Sequence, residues 1–262
     1  MKKEYTTTLS PTEWQFISKY FDSQRKPKWA YKLLFESVLY VTKNGCSWRD
    51  LPACFPPWQT VYWHFRRWSS EGLIELVINE LNVMVREKEG RFSTPSALII
   101  DSQTVKTTSY STKQVGIDGG KKIKGRKRHI ITDTMGNLMG VKVHTAQIHD
   151  SKAAKLVLAE IYKNKVNFPR IKVLFSDKGY RGKLADWVKK HLKIRLEVVK
   201  TYTKPSNNGK MMVSPKRWIV ERSFAWLNHY RRLSKDFERL THVSESFIRL
   251  AFIRLALKKL IN

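Results

Sequence analysis

Ala97-Leu98-Ile99-Ile100-Asp101-Ser102-Gln103 breaks the rhythm of the chain. Before it, apolar residues recur at helical spacing; from Ala97 onward they come in short runs of strand length. The runs 97–100, 129–133, 138–145, 171–175 and 194–199 predict five strands. Met135-Gly136-Asn137 turns the second run back on the third, while helical stretches at 151–163 and 182–191 separate the later strands as crossovers. Helices at 214–235 and 244–260 close the chain. Phe247, Leu250, Ala251, Ile253 and Leu257 line one side of the last, interrupted by Arg254. The expectation is an α/β fold, a mixed five-stranded sheet with flanking helices.

The part before Ala97 reads as all-helical. Ser10-Pro11-Thr12-Glu13 combines a capping serine, a proline suited to the first helical position and a glutamate that can return a bond to the cap. That helix should run to about Phe21. A second spans 29–43 and ends at Asn44-Gly45, a third follows Pro56-Pro57 over 58–70, and Gly72 separates it from a fourth over 73–88. The third carries Gln59, Thr60, His64, Arg66 and Arg67, and suits the recognition helix of a helix-turn-helix-like unit, with Arg66 and Arg67 as DNA contacts. Six of the nine tryptophans precede residue 70, a number better suited to packing a small helical core than to stacking on bases. The polar stretch Glu89-Gly90-Arg91-Phe92-Ser93-Thr94-Pro95 marks a boundary, giving a helical domain at 1–92 and an α/β domain at 96–262.

Charge narrows the partners. Fifty Lys and Arg against 22 Asp and Glu give a net +28 over 262 residues, with an isoelectric point near 10.2. A polyanion is the natural partner, and because the charge is spread along the chain, nucleic acid fits better than a membrane surface. No apolar run approaches the length of a bilayer span, and Met1-Lys2-Lys3-Glu4-Tyr5 has no apolar signal core. Cys46 and Cys54 lack the spacing of a zinc site or a disulfide framework. These features predict a cytoplasmic protein. A non-catalytic DNA-binding protein and an RNA-binding basic protein share the same charge signature.

Three acidic residues separate an enzyme from those readings. Asp101 follows the strand 97–100, and Asp177 follows 171–176 and precedes Lys178-Gly179-Tyr180, so both are expected at strand ends. Carboxylate pairs suit hard divalent cations, and two such ions about 4 Å apart can activate an attacking oxygen and stabilise a leaving one. Glu221 is the candidate third carboxylate, with Arg217 one helical turn before it. Taken singly, each reads as a turn former or a surface ion pair; the chemistry needs all three.

Ile100-Asp101-Ser102-Gln103, Ser176-Asp177-Lys178-Gly179-Tyr180 and Arg217-Trp218-Ile219-Val220-Glu221-Arg222 resemble three motifs of the DDE transposases of bacterial insertion sequences, in particular the IS-five family. Trp48-Arg49-Asp50-Leu51-Pro52, Gly125-Arg126-Lys127-Arg128-His129 and Trp226-Leu227-Asn228-His229-Tyr230-Arg231-Arg232 extend the likeness over most of the chain. The resemblance implies a ribonuclease-H-like catalytic fold with Asp101, Asp177 and Glu221 as catalytic metal ligands. It also implies two Mg2+ ions, for which Mn2+ can substitute, and double-stranded DNA as partner, cut and joined at transposon ends by a homodimer on DNA. The setting would be the bacterial nucleoid, and a catalytically inactive DNA-binding descendant of a transposase is the alternative. Of the Tyr, Arg, Glu and Lys signature around the third carboxylate, Arg217 and Glu221 match, while Ser214 and Asn228 stand at the outer positions.

Lys121, Lys122, Lys124, Arg126, Lys127 and Arg128 form a dense basic cluster between the first two expected strands, with Gly119, Gly120 and Gly125 allowing close backbone approach to phosphates. Arg217 and Arg222 extend the expected DNA surface beside Glu221, as do Arg231 and Arg232 beyond it. Lys200, Lys204 and Lys210 flank the polar stretch 205–209, expected as a loop that orders on DNA. His144 and His149 do not suit Mg2+, and His149-Asp150 reads as a helix start.

Overall fold

Local signals place most of the helices where the sequence expects them. The computed structural model describes residues 5–21, 28–111, 113–163, 168–199 and 216–261. Helix α1 (Pro11–Ser18) opens with the reciprocal cap: the Ser10 hydroxyl accepts the Glu13 N–H at 3.1 Å and Glu13 accepts the Ser10 N–H at 2.8 Å. Helix α2 (Tyr31–Asn44) stops at Gly45, whose φ of 72° is left-handed. Helices α3 (Trp58–Ser70) and α4 (Leu73–Lys88) follow. The connection from α2 to α3, residues 45–57 with one turn at Trp48–Asp50, is longer than the three- or four-residue turn of a compact helix-turn-helix unit.

The sheet has six strands rather than five: β1 (Ala97–Lys106), β2 (Gly116–Asp118), β3 (Ile123–Asp133), β4 (Leu138–Thr145), β5 (Val173–Ser176) and β6 (Arg195–Val198). β3 lies antiparallel to β1 on one side, and to both β4 and the short β2 on the other. β1, β5 and β6 run parallel. Helices α5 (Asp150–Lys163) and α6 (Lys183–Leu192) are the connections that parallel pairing requires. In the β3–β4 hairpin, Asp133 accepts the N–H groups of Met135 and Asn137, and Gly136 takes a φ of 80°.

Side chains alternate across the strands and fill two layers. Leu98, Ile100, Ile131 and Leu174 pack with α5 and α6, whereas Ile99, Ile130, Val141, Val143 and Phe175 share a larger core with the helices on the other face. That core holds α7 (Arg217–Leu227) and α8 (Thr241–Ile261). The sequence shows α8 as one-sided, but it is buried all round from Val243 to Ile253, because α1–α4 cover the side that the sheet leaves free. Its Arg254 pairs with Glu13 of α1, and Arg249 reaches Glu75 of α4 at 3.2 Å. Phe247, Ile248, Leu250, Phe252 and Ile253 each contribute about 1.5–3 kcal/mol by leaving water. The helical region and the sheet therefore share one core. Cys46 and Cys54 are free thiols, and among the described residues no helix is long and apolar enough to cross a membrane.

Candidate active site

Parallel pairing of β1 and β5 ends at Ile99 opposite Phe175. Two residues further along each chain stand Asp101 and Asp177. Their even spacing keeps both on the face of Ile99 and Phe175, on neighbouring chain segments whose strands lie about 4.8 Å apart. Asp101 does not lie at a strand end, as the sequence suggests. β1 continues to Lys106 because Ser102 to Lys106 keep pairing with β3, opposite His129 to Gly125. What stops at this level is the contact with β5, so the sheet opens beside the two carboxylates.

Local bonds aim each of them. The Ser102 N–H donates to Asp101 Oδ1 at 2.7 Å, and the Gly179 N–H donates to Asp177 Oδ1 at 2.8 Å, capping the short turn Lys178–Tyr180. Helix α7 packs against β1 and carries Glu221, which is exposed and paired with Arg217 at 3.0 Å. Burial pushes the Asp101 carboxyl up to about 6. The Ser102 N–H and Arg217 oppose that rise, and the negative charges of Asp177 and Glu221 add to it. Among the described residues, no three His, Cys, Asp or Glu side chains stand close enough to hold a metal ion together. The expected three-carboxylate cage is thus not closed, and Glu221 is engaged by Arg217 instead. Asp101 and Asp177 nonetheless offer carboxylate oxygens on neighbouring segments, the donors that a hard cation takes.

Behind β1, on the opposite sheet face, lies a polar network that composition and spacing did not reveal. Asp150, the first residue of α5, accepts from Ser102 Oγ at 3.1 Å and pairs with Lys127 Nζ at 3.0 Å. Lys127 also meets Asp118 at 3.5 Å. Burial raises the Asp118 carboxyl, but bonds from the Thr104 hydroxyl and the N–H groups of Lys121 and Gly120, with the Lys127 charge, hold it at about 2. The His144 Nδ1–H donates to Thr145 O at 2.8 Å, so its Nε2 accepts from His129 Nδ1 at 2.7 Å. Burial, then the neighbouring His144, holds His129 neutral, and its 3.9 Å approach to Asp150 is not an ion pair. Alternation along β1 was the available signal: Asp101 and Ser102 must face opposite ways.

The basic residues divide by burial. Lys121, Lys122 and Lys124 are exposed, as the sequence suggests. Arg126, Lys127 and Arg128 are not on a solvated loop; they lie within β3 and are buried. Arg126 pairs with Asp236 at 3.1 Å and donates to the carbonyls of Lys113, Glu238 and Arg239. Arg128 donates to the carbonyls of Leu233 and Lys235, and Lys127 serves Asp150. These three side chains spend their charge inside the protein, though the Nε groups of Arg126 and Arg128 are buried without a partner, and this burial corrects their expected role on DNA. Arg222 is half-buried: its guanidinium lies against the rings of Trp218 and Trp226, at 4.3 and 4.6 Å, and donates to Met135 O. Arg232 pairs with Glu238 at 2.7 Å, whereas Arg231 is exposed. Arg66 and Arg67 stand exposed on α3, Arg67 paired with Glu71 at 2.8 Å. Lys200, Lys204, Lys210, the 205–209 loop and Ser214 lie outside the described residues.

Comparison with known proteins places this geometry in a family. A model described as "Transposase DDE domain" matches residues 92–256, and one described as "Putative transposase of IS4/5 family" matches residues 9–78. A curated relative, the putative transposase for insertion sequence element IS402 of Burkholderia cepacia, is 29% identical over 131 residues, covering 48% of this chain. The matched stretch spans 60% of that relative's length. No solved structure matches the chain. With the first of these matches running over more than half of the sequence and across Asp101, Asp177 and Glu221, the chain belongs to the DDE-domain transposases of IS4/5-type insertion sequences.

Proposed function

We propose that the chain is a DNA transposase that binds transposon terminal inverted repeats, cleaves phosphodiester bonds with two divalent metal ions and joins the freed 3′ ends to target DNA. The observation that carries this reading is the level placement of Asp101 and Asp177 where β1 and β5 part, with the Asp101 carboxyl raised first by burial and then by its acidic neighbours. The sheet order, with β2 and β4 antiparallel to β3, β3 antiparallel to β1, and β5 and β6 parallel to β1, supports a ribonuclease-H-like catalytic domain at 96–262, to which we add a helical DNA-binding domain at 1–92.

Mg2+ or Mn2+ bound by Asp101, Asp177 and Glu221 would activate the attacking oxygen and stabilise the leaving one. Asp101 and Asp177 act as fixed oxygen donors, each aimed by a backbone N–H. Glu221, now paired with Arg217, would complete the ligand set, and Arg217 freed from it would suit a backbone phosphate. Lys121, Lys122 and Lys124 hold the duplex electrostatically, while Arg66 and Arg67 of α3 engage the repeat. In-line attack needs no covalent enzyme intermediate. Synapsis of two ends calls for a homodimer on DNA, in the bacterial cytoplasm at the nucleoid.

The test is cleavage of DNA carrying the element's terminal repeats, with Mg2+. Wild type should cut, and Asp101→Asn, Asp177→Asn and Glu221→Gln should each bind the DNA yet fail to cut it. Equal cutting by Asp101→Asn would overturn the catalytic assignment, and binding without cutting by the wild type would point to an inactive DNA-binding descendant.

A further inference from the structure

The network behind β1 bears on how the two aspartates keep their spacing, an inference that rests on the metal-dependent reading above. Asp101 and Asp177 repel each other, and the strands that carry them are no longer paired at their level. Something else must hold them at a common distance from an ion. Asp150 is placed to do so from the rear. Its Oδ1 accepts from Ser102 Oγ at 3.1 Å, and the Ser102 N–H holds Asp101 Oδ1 at 2.7 Å. Its Oδ2 lies 3.8 Å from the point a Cβ on Gly179 would occupy, and the Gly179 N–H holds Asp177 Oδ1 at 2.8 Å. One carboxylate thus bonds the residue after Asp101 and faces the side of Gly179, two residues after Asp177, that a larger residue would fill.

Lys127 makes that carboxylate a fixed point. Its ammonium lies 3.0 Å from Asp150 Oδ1 and 3.5 Å from Asp118, which is itself tied to Thr104 of β1. The side chain is buried and anchored further by Ile148 O at 3.2 Å. With a cation already on Oδ1, Asp150 is poorly suited to be a ligand itself and well suited to be a brace. We propose that Asp150, held by Lys127, is a positioning residue that sets the separation of Asp101 and Asp177 and so the affinity of the site for divalent metal.

The experiment uses the full chain without DNA and measures Mn2+ binding by titration calorimetry, beside the Mg2+ dependence of end cleavage. Asp150→Ala should weaken Mn2+ binding about 10–100-fold, the usual cost of removing a group that orients a metal ligand. Cleavage should recover at high Mg2+, with KM for the end DNA unchanged. Asp150→Asn, which still accepts from Ser102 but loses the Lys127 charge pair, should fall between. Ser102→Ala removes only one hydroxyl and should lose affinity in the same direction, so it decides the matter if Asp150→Ala does not fold. Wild-type Mn2+ affinity in folded Asp150→Ala, or in Ser102→Ala in its place, overturns the proposal, as does cleavage by Asp150→Ala that no metal concentration restores. Asp101→Asn runs in parallel: if it loses Mn2+ while Asp150→Ala does not, the brace alone fails. If neither loses it, the metal reading fails and takes the brace with it.

Discussion

Asp101 is held in a state that works against the fold. Its carboxyl, raised from 3.8 to about 6 first by burial and then by Asp177 and Glu221, binds its proton more tightly in the folded chain than in the unfolded one. A raised carboxylate stabilises fully below its unfolded value, and that contribution is lost as pH rises through about 6. At pH 8 the charged group therefore opposes folding. Asp101→Asn, proposed above to lose cutting, is expected to raise stability at pH 8 by about 1–2 kcal/mol after discounting for solvent screening. The gain should vanish by pH 4. Thermal melts at the two pH values check the sign, and an unchanged melting temperature at pH 8 would show the carboxylate to be relaxed. Added Mg2+ should raise the wild-type melting temperature and leave the Asn variant unmoved.

Among the elements, β3 shows where the sequence was legible and where it was not. Its second half, His129 to Asp133, reads as a strand because Ile130 and Ile131 are apolar. Its first half, Ile123 to Arg128, reads as a basic loop because nothing local announces that Arg126 and Arg128 are buried. Apart from Lys113 O, their partners, Asp236 and the carbonyls of 233–239, arrive from more than a hundred residues away. The same blindness shortened β1, whose Ser102, Gln103 and Thr104 pair with β3 without any apolar pattern, and hid β2 altogether. Caps and turns were legible where the chemistry is local, at Ser10, Gly45 and Gly136. The candidate aspartates were legible as residue types; the Asp150 brace, built across three elements, was not. The division within the basic run has a measurable consequence. Replacing Lys121, Lys122 and Lys124 with Ala should weaken DNA binding at every sequence and reduce the slope of log affinity against log salt by about 2–3. Titrations at several salt concentrations read this directly, and an unchanged slope would remove these lysines from the interface.

Over the whole molecule, the chain order and the core order disagree. Helices α1–α4 precede the sheet in sequence but close around α8, which follows it. Phe247 sits at that junction, fully buried, 4.8 Å from the Phe65 ring and 5.2 Å from the Arg232 guanidinium. Phe247→Ala should cost about 3–5 kcal/mol. Because the core is shared, the loss should appear in one transition. Tryptophan fluorescence, dominated by the six indoles before residue 70, and far-ultraviolet dichroism should shift together in urea. Two separated transitions would mean that the helices and the sheet fold apart.

The central place of α8 also sets a clock on synthesis. While a ribosome is still making the chain, α1–α4 have emerged but the rod they wrap has not, so their inner faces stay sticky until the final turns leave the exit tunnel. Packing of the four leading helices therefore waits on a helix that follows them by about 150 residues.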